Sequence, residues 1–307
     1  MLFKPVGAIK QSIREGGPVE QRRTRAGQIA MRNAAMRLPT LSLPPEGPPA
    51  EISFLSGPRF WYQTLFCFYS LQLQTPFKIT PIVYDDGGMD VVTKSRLLQV
   101  VPWMQFEDAP DTEARLDELL PASHYPTLRA RRRTYPHLRK LTDIHIGSNK
   151  CRLVADSDML FFRPPDDVID WFTDPQLLYM QDVETAYGYP IGYLNELAGA
   201  NVPEPVNVGL YGLTGANIDW GRVEYWCRRQ LDDYGPSYLQ EQALTAMLFA
   251  SEPAKVLSRV DYVVMPDALE GERPRAVLHH YVDVSKQYYF RYGWRQILDL
   301  AQKSCGT

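Results

Sequence analysis

Cysteine is scarce in this chain of 307 residues. The four present, Cys67, Cys151, Cys227 and Cys305, stand far apart and form no CxxC pair. That excludes a CxxC redox or zinc motif, and the apolar or helical surroundings of Cys67, Cys151 and Cys227 predict buried thiols in a reducing compartment. Long hydrophobic runs are missing too. No stretch is long and apolar enough to span a bilayer, and no secretory segment opens the chain, so the expected location is the cytoplasm. An excess of one charge is also lacking. The net charge of −3 excludes a dedicated nucleic-acid binder, which would carry a strong positive surplus. No internal repeat is present.

What is there divides unevenly. Residues 1–50 hold eight Lys or Arg against three acidic residues and end in the proline-rich "LPTLSLPPEGPP". Such a stretch is neither a helix interior nor a central strand. We read 1–50 as a basic, Pro-rich N-terminal arm with a helix around Val19–Arg37. Deleting residues 1–45 is then expected to leave a folded domain, with homo-oligomer contact or a peripheral place at a membrane surface as the arm's possible roles. Residues 51–307 are the domain. "EISFLSG", "KITPIVYDDGG" and "LLQVVPWMQF" predict three strands, and "RFWYQTLFCFYSLQLQ" a buried helix. "TEARLDELL" and the basic segment Arg129–Leu141 predict helices, the latter interrupted at Pro136. Cys151–Ala155, "QLLYMQDV", "VNVGLYGL" and "AVLHHYV" predict further strands. "DWGRVEYWCRRQLDDYG", "SYLQEQALTAMLFA" and "KQYYFRYGWRQILDLAQK" predict helices, the second opened by a capping box between Ser237 and Gln240. The alternation predicts an α/β sandwich with a mainly parallel central sheet.

The chemistry concentrates at "CRLVADSDMLFF", Cys151 to Phe162. A strand ends by exposing Asp156 and Asp158, one residue apart. In an open α/β sheet, ligands bind beyond the carboxyl ends of the strands. Two carboxylates so close repel unless a cation or water screens them. Hard oxygen ligands suit Mg²⁺ or Mn²⁺, which commonly bridge to phosphates. His279 and His280 are neighbours on a strand and face opposite sides, so one of them alone can reach such an ion.

The segment "LVADSDMLFFRPPDDV" resembles the D-x-D region of GT-A glycosyltransferases, most nearly the retaining family-8-like group that uses nucleotide sugars. The resemblance runs from Glu51 to the C-terminal helix and implies a Rossmann-like GT-A fold. It implies metal ligation by Asp156, Asp158 and His280, and donor binding by Arg139, Ser157, Asn207, Gly209 and Lys286. The loops after the first two strands, with Leu55, Ser56, Gly57 and Asp85, complete the implied donor site. Glu241, Gln242 and Asp182 are the implied catalytic group. The chain departs from the family in having Asp283 where Gly is usual and Gln287-Tyr288 where Pro-Trp is usual.

The implied reaction is transfer of a sugar from a nucleoside-diphosphate sugar, UDP being favoured, to an acceptor hydroxyl of a glycan, lipid or protein, with retention and with Mn²⁺ or Mg²⁺ as cofactor. No nucleic-acid partner is expected. Two rival readings use the same motif. A phosphatase of the haloacid-dehalogenase type also ends a strand with D-x-D, but normally wants Thr or Gly after the second Asp, where this chain has Met159. A non-catalytic nucleotide-sugar-binding module would predict a degraded metal site.

Overall fold

The elements follow in chain order, in a computed structural model that describes residues 16–304. First come α1 (Pro18–Ala35), β1 (Glu51–Ser56), α2 (Trp61–Leu73), β2 (Thr80–Asp85), α3 (Val91–Val100) and β3 (Gln105–Glu107). Next are α4 (Ala109–Leu119), α5 (Pro126–Thr134), α6 (Leu138–His145), β4 (Cys151–Ala155), β5 (Met159–Phe161), α7 (Asp166–Trp171) and β6 (Leu178–Gln181). Then follow α8 (Ile191–Ala198), β7 (Val206–Thr214), α9 (Trp220–Tyr234), α10 (Gln240–Leu248), β8 (Lys255–Val256), β9 (Tyr262–Val264), α11 (Ala268–Glu272) and β10 (Leu278–His280). The last helical run is α12 (Lys286–Tyr288), a π-helical turn over Tyr289–Gly293, and α13 (Trp294–Ser304).

Among the described residues the central sheet has seven strands in the order β3-β2-β1-β4-β7-β6-β8. Only β7 runs antiparallel to its neighbours, β4 and β6; the other pairings are parallel. The expected mainly parallel α/β/α sandwich is the observed one. Because strand side chains alternate, the sheet feeds two cores. Ile52, Phe54 and Leu153 join Phe66 and Phe68 of α2 and Trp294 and Ile297 of α13 on one face. Val154 and Tyr211 join Leu141 of α6, Trp226 of α9 and Leu244 of α10 on the other.

A second, three-stranded sheet has the order β5-β10-β9. It ties the strand just after Asp158 to the strand of the two histidines.

Three expectations need correction. "LLQVVPWMQF" is not one strand. Its Leu97–Val100 part finishes α3, whose N-terminus is fixed by Asp90 accepting from the Thr93 amide, and only Gln105–Glu107 pairs. The capping box does not form. The Ser237 hydroxyl accepts from the Leu239 amide instead, and α10 begins at Gln240, whose side chain bonds Arg131 and Gln230. Nor is Cys151 fully buried, since it lies at a strand start. Cys305 lies outside the described residues.

A fourth expectation also needs correction, since the N-terminal arm packs on the domain. The expected helix is present, and Met31, Ala35 and Leu38 belong to the α2/α13 core. Gly27 lets the helix approach the π-turn closely; a Cβ there would lie 2.2 Å from the Phe290 carbonyl oxygen. Arg291 bonds Glu20 and Thr24 at 2.5–3.1 Å. Deleting residues 1–45 is therefore expected to cost about 3–6 kcal/mol from Met31 and Leu38 burial alone. Denaturant unfolding of the truncated chain checks this. A midpoint unchanged from that of the whole chain would mean that the helix adds nothing to the core.

Candidate active site

The strand β4 carries the chain to Asp156, whose amide donates to the Gly209 carbonyl at 2.7 Å. Ser157 and Asp158 then bridge to β5 in the second sheet. There Met159 lies opposite His280 in antiparallel register, and the Tyr281 amide donates to the Asp158 carbonyl at 2.9 Å. Pairing between two remote segments thus sets Asp158 beside His280.

His280 Nε2 lies 3.3 Å from Asp158 Oδ1 and 3.7 Å from Asp156 Oδ2. One ligating atom from each of the three residues falls within 4.8 Å of the others. The hydrogen-bond chain behind the ring fixes which nitrogen faces the carboxylates. The Asp182 carboxylate can only accept, and it takes a hydrogen bond from Asn207 Nδ2 at 3.0 Å. Asn207 Oδ1 therefore faces the other way, accepting from the Gly209 amide at 2.9 Å and from His280 Nδ1 at 3.0 Å. With Nδ1 donating to Asn207, Nε2 is the nitrogen that faces the two carboxylates. This is the arrangement of a metal-binding histidine with its orienting partner. Gly209 makes room for it; a Cβ there would sit 2.4 Å from the imidazole. Two carboxylates and an imidazole nitrogen suit a divalent ion such as Mn²⁺.

His279 faces away. It is buried between the Tyr281 hydroxyl and Glu270, both at 3.0 Å. His280→Ala is expected to weaken Mn²⁺ binding by roughly 100-fold or more, since loss of an outer partner of a metal ligand already costs about 10–100-fold. His279→Ala should instead lower the melting temperature and leave Mn²⁺ affinity within about twofold. A calorimetric metal titration of both variants decides, and metal loss confined to His279→Ala would reverse the assignment.

Two ammonium groups flank the carboxylates. Lys286 Nζ lies 3.3 Å from Asp158 Oδ2. Lys140 was not foreseen. It is buried, 2.9 Å from both Asp156 Oδ1 and the Val208 carbonyl and 3.6 Å from Glu241 Oε2. Burial would lower the Lys140 pKa, but Asp156 and Glu241 outweigh it and hold it above the ordinary value. Burial pushes Glu241 up to about 7 against the pull of Lys140. Burial would also raise the Asp158 carboxyl, yet the His280 and Lys286 contacts hold it well below the usual range. Three carboxyl groups and two ammoniums meet here; with Glu241 ionised the cluster is one positive charge short.

The other expected residues fall in two groups. Gln242 Nε2 donates to Asp182 at 3.3 Å and to the Ala186 carbonyl at 2.8 Å, joining the chain behind His280. The Ser157 hydroxyl turns inward to Thr64 at 2.9 Å, and Thr64 bonds Ser56 at 2.6 Å. Leu55 is half-buried and pairs with Tyr84. Gly57 packs on the Asp86 carboxylate, 1.8 Å from where a Cβ would be. Asp85 spends its carboxylate on the amides of Gly87, Gly88 and Met89. Arg139 reaches the neighbouring Asp86 carbonyl at 2.5 Å, so the cation beside Asp156 is Lys140 and not Arg139. Asp283 has a left-handed φ of 46°, a conformation that short polar residues tolerate and that glycine, usual at this place in the resembling group, adopts freely.

A Rossmann-like sheet with one antiparallel strand, and a D-x-D turn handing the chain to a small second sheet, make up the GT-A fold. Among solved structures, the chain is similar to mouse xyloside xylosyltransferase 1 in its apo form, at 12% identity over 75% of this chain and 96% of that one, with a TM-score of 0.50. It is also similar to the galactosyltransferase LgtC in complex with donor and acceptor sugar analogs, at 16% identity over 82% of this chain and 95% of that one, again with a TM-score of 0.50. No protein-family model and no curated protein sequence matches it.

Proposed function

We propose that the chain is a metal-dependent glycosyltransferase that moves a sugar from a nucleoside diphosphate, UDP by preference, to an acceptor hydroxyl. Residues 51–307 carry the catalytic machinery in this reading. The observation that carries it is the oriented His280: its Nε2 is aimed at Asp156 and Asp158 by a hydrogen-bond chain that ends on Asp182. A plain structural histidine has no need of two carboxylates on its free nitrogen.

A divalent ion held by Asp156, Asp158 and His280 would supply Lewis-acid neutralisation of the departing diphosphate. Lys286, at the half-exposed edge of the cluster, adds fixed positive charge for the same oxygens. Lys140 keeps Asp156 ionised and in place while Glu241 sits beside it. The nucleotide end is assigned to the loops of Leu55, Ser56, Gly57 and Asp85, with Arg139 holding the second of them. Asn207, Gly209 and Ser157 shape the donor side, Ser157 by bracing the turn against α2. The sugar carbon becomes oxocarbenium-like as the bond to phosphate breaks. Glu241, Gln242 and Asp182 line the side from which that cation is stabilised, and we assign retention of configuration.

The test is a donor-hydrolysis screen of UDP- and GDP-sugars with and without Mn²⁺, read by release of free nucleoside diphosphate. Release that needs both a UDP-sugar and Mn²⁺ supports the reading. Binding without turnover, in hydrolysis and with added acceptors, makes the chain a nucleotide-sugar-binding module. Release of inorganic phosphate from phosphomonoesters would make it a phosphatase.

A further inference from the structure

We propose that the outward face of α1 is a docking surface for an anionic membrane. Arg22, Arg25, Ile29, Arg32 and Met36 recur at helical spacing on the side opposite the buried Gly27, Met31 and Ala35. Arg22, Arg25 and Arg32 are exposed and make no hydrogen bond or ion pair with the described residues. Ile29 and Met36, between them, are 56% and 48% exposed. Val19 and Leu43 add further exposed apolar side chains at either end of the segment. The acidic residue of the helix, Glu20, is turned inward to Arg291 and leaves the outer face free of carboxylates.

Charge selects the occupant. Residues 1–50 carry eight basic and three acidic side chains in a protein whose net charge is −3, so positive charge is gathered on this segment and negative charge prevails elsewhere. Arginines alone would fit any polyanion. Large apolar side chains set among them fit a surface that has both phosphate headgroups and acyl chains, which is the pattern of a helix lying in the plane of a bilayer. The surface is rigid before it docks. Gly27 seats the helix on the π-turn, Arg291 clamps its first turns, and Gln28 bonds Tyr62 of α2 at 3.0 Å. Among the described residues no helix is long and apolar enough to cross a membrane, so the contact is with the surface.

The experiment is co-sedimentation of the full chain with vesicles of phosphatidylcholine alone or mixed equally with phosphatidylglycerol. Binding to the mixed vesicles only, weakened by salt, is expected. Arg22→Gln, Arg25→Gln and Arg32→Gln together should reduce partitioning roughly 100-fold, from about fivefold for each arginine. Ile29→Gln with Met36→Gln should also reduce it, whereas Arg228→Gln on α9 should not. Unchanged melting temperatures for these surface variants show that folding is not at issue. Absence of sedimentation with mixed vesicles, or the same sedimentation by the triple-arginine variant, overturns the proposal. Undiminished binding by the Ile29/Met36 variant overturns it in favour of a soluble polyanion. A wild-type dimer in light scattering that the triple-arginine variant abolishes, with no vesicle binding, overturns it in favour of a second copy.

Discussion

Asp158→Asn is expected to abolish metal-dependent turnover, by roughly 100-fold or more, while the chain stays folded. Outer partners of metal ligands commonly cost 10–100-fold when lost, and a ligand itself should cost at least the upper figure. Asp158 is the carboxylate nearest His280 Nε2, and its pKa is held down by His280 and Lys286 against its own burial. It is therefore ionised at every working pH. A depressed carboxylate contributes stability above its unfolded pKa and loses that contribution only as pH falls through the folded value. Asn keeps the shape and the carbonyl that accepts from the Tyr281 amide, so β5 and β10 still pair. The removed charge is what the variant tests. Mn²⁺ titration and donor hydrolysis are the measurements, and activity within about threefold of the parent would remove Asp158 from the metal site.

The second large effect is expected at Lys140. Lys140→Met leaves Asp156 and the buried Glu241 without their shared cation. Breaking a buried ion pair from one side typically costs about 3–5 kcal/mol. The loss has a pH signature. The folded pKa of Glu241 is already raised to about 7, so its protonated form is the better tolerated one. A raised folded pKa gives a stability contribution that is full below the unfolded value and lost as pH rises through the folded one. Without Lys140 the Glu241 pKa rises further; Glu241 costs parent and variant alike up to about pH 7, and the deficit of the variant should grow as pH rises above that value. Adding Glu241→Gln should recover much of the stability at the upper end. Denaturant unfolding of the single and double variants at several pH values decides; a deficit independent of pH would mean that Lys140 acts by packing alone.

What could be read from the chain is what local pattern controls. Apolar runs ending at Ser56, Asp85 and Asp156 marked the carboxyl ends of the parallel strands, and the paired aspartates marked the cluster that His280 and the two lysines join. Alternation on a strand showed that His279 and His280 face opposite sides, while the choice of His280 came from its spacing to Lys286 in the resembling group. Lys140 escaped because Pro136 breaks the helical register just before it, and spacing alone cannot say which of two adjacent cations turns inward. The Ser237–Gln240 pair satisfied the capping pattern, but Gln240 had a better partner in Arg131 across the fold. The burial of α1 was legible in part. Gly27, Met31, Ala35 and Leu38 lie at the spacing of a packed face, but the arginines between them dominate the composition and suggested a solvated arm. The partner of that face, the π-turn near the far end of the chain, is not deducible from local pattern.

The pairing of Met159 with His280 brings together segments roughly 120 residues apart in sequence. Contacts of such range close late, because the intervening loop's entropy must be overcome first. The central sheet from β1 to β4 can form from the first half of the chain, but β5, though it packs on α2, has no strand partner among the described residues until β10 has been made. A ribosome-bound chain that ends before β10 would hold Asp156 and Asp158 without His280 and Lys286. Ligand binding to this cluster is thus a natural reporter of completed folding: donor protection in refolding should arrive with the slowest phase, after the far-ultraviolet signal of the main sheet is in place.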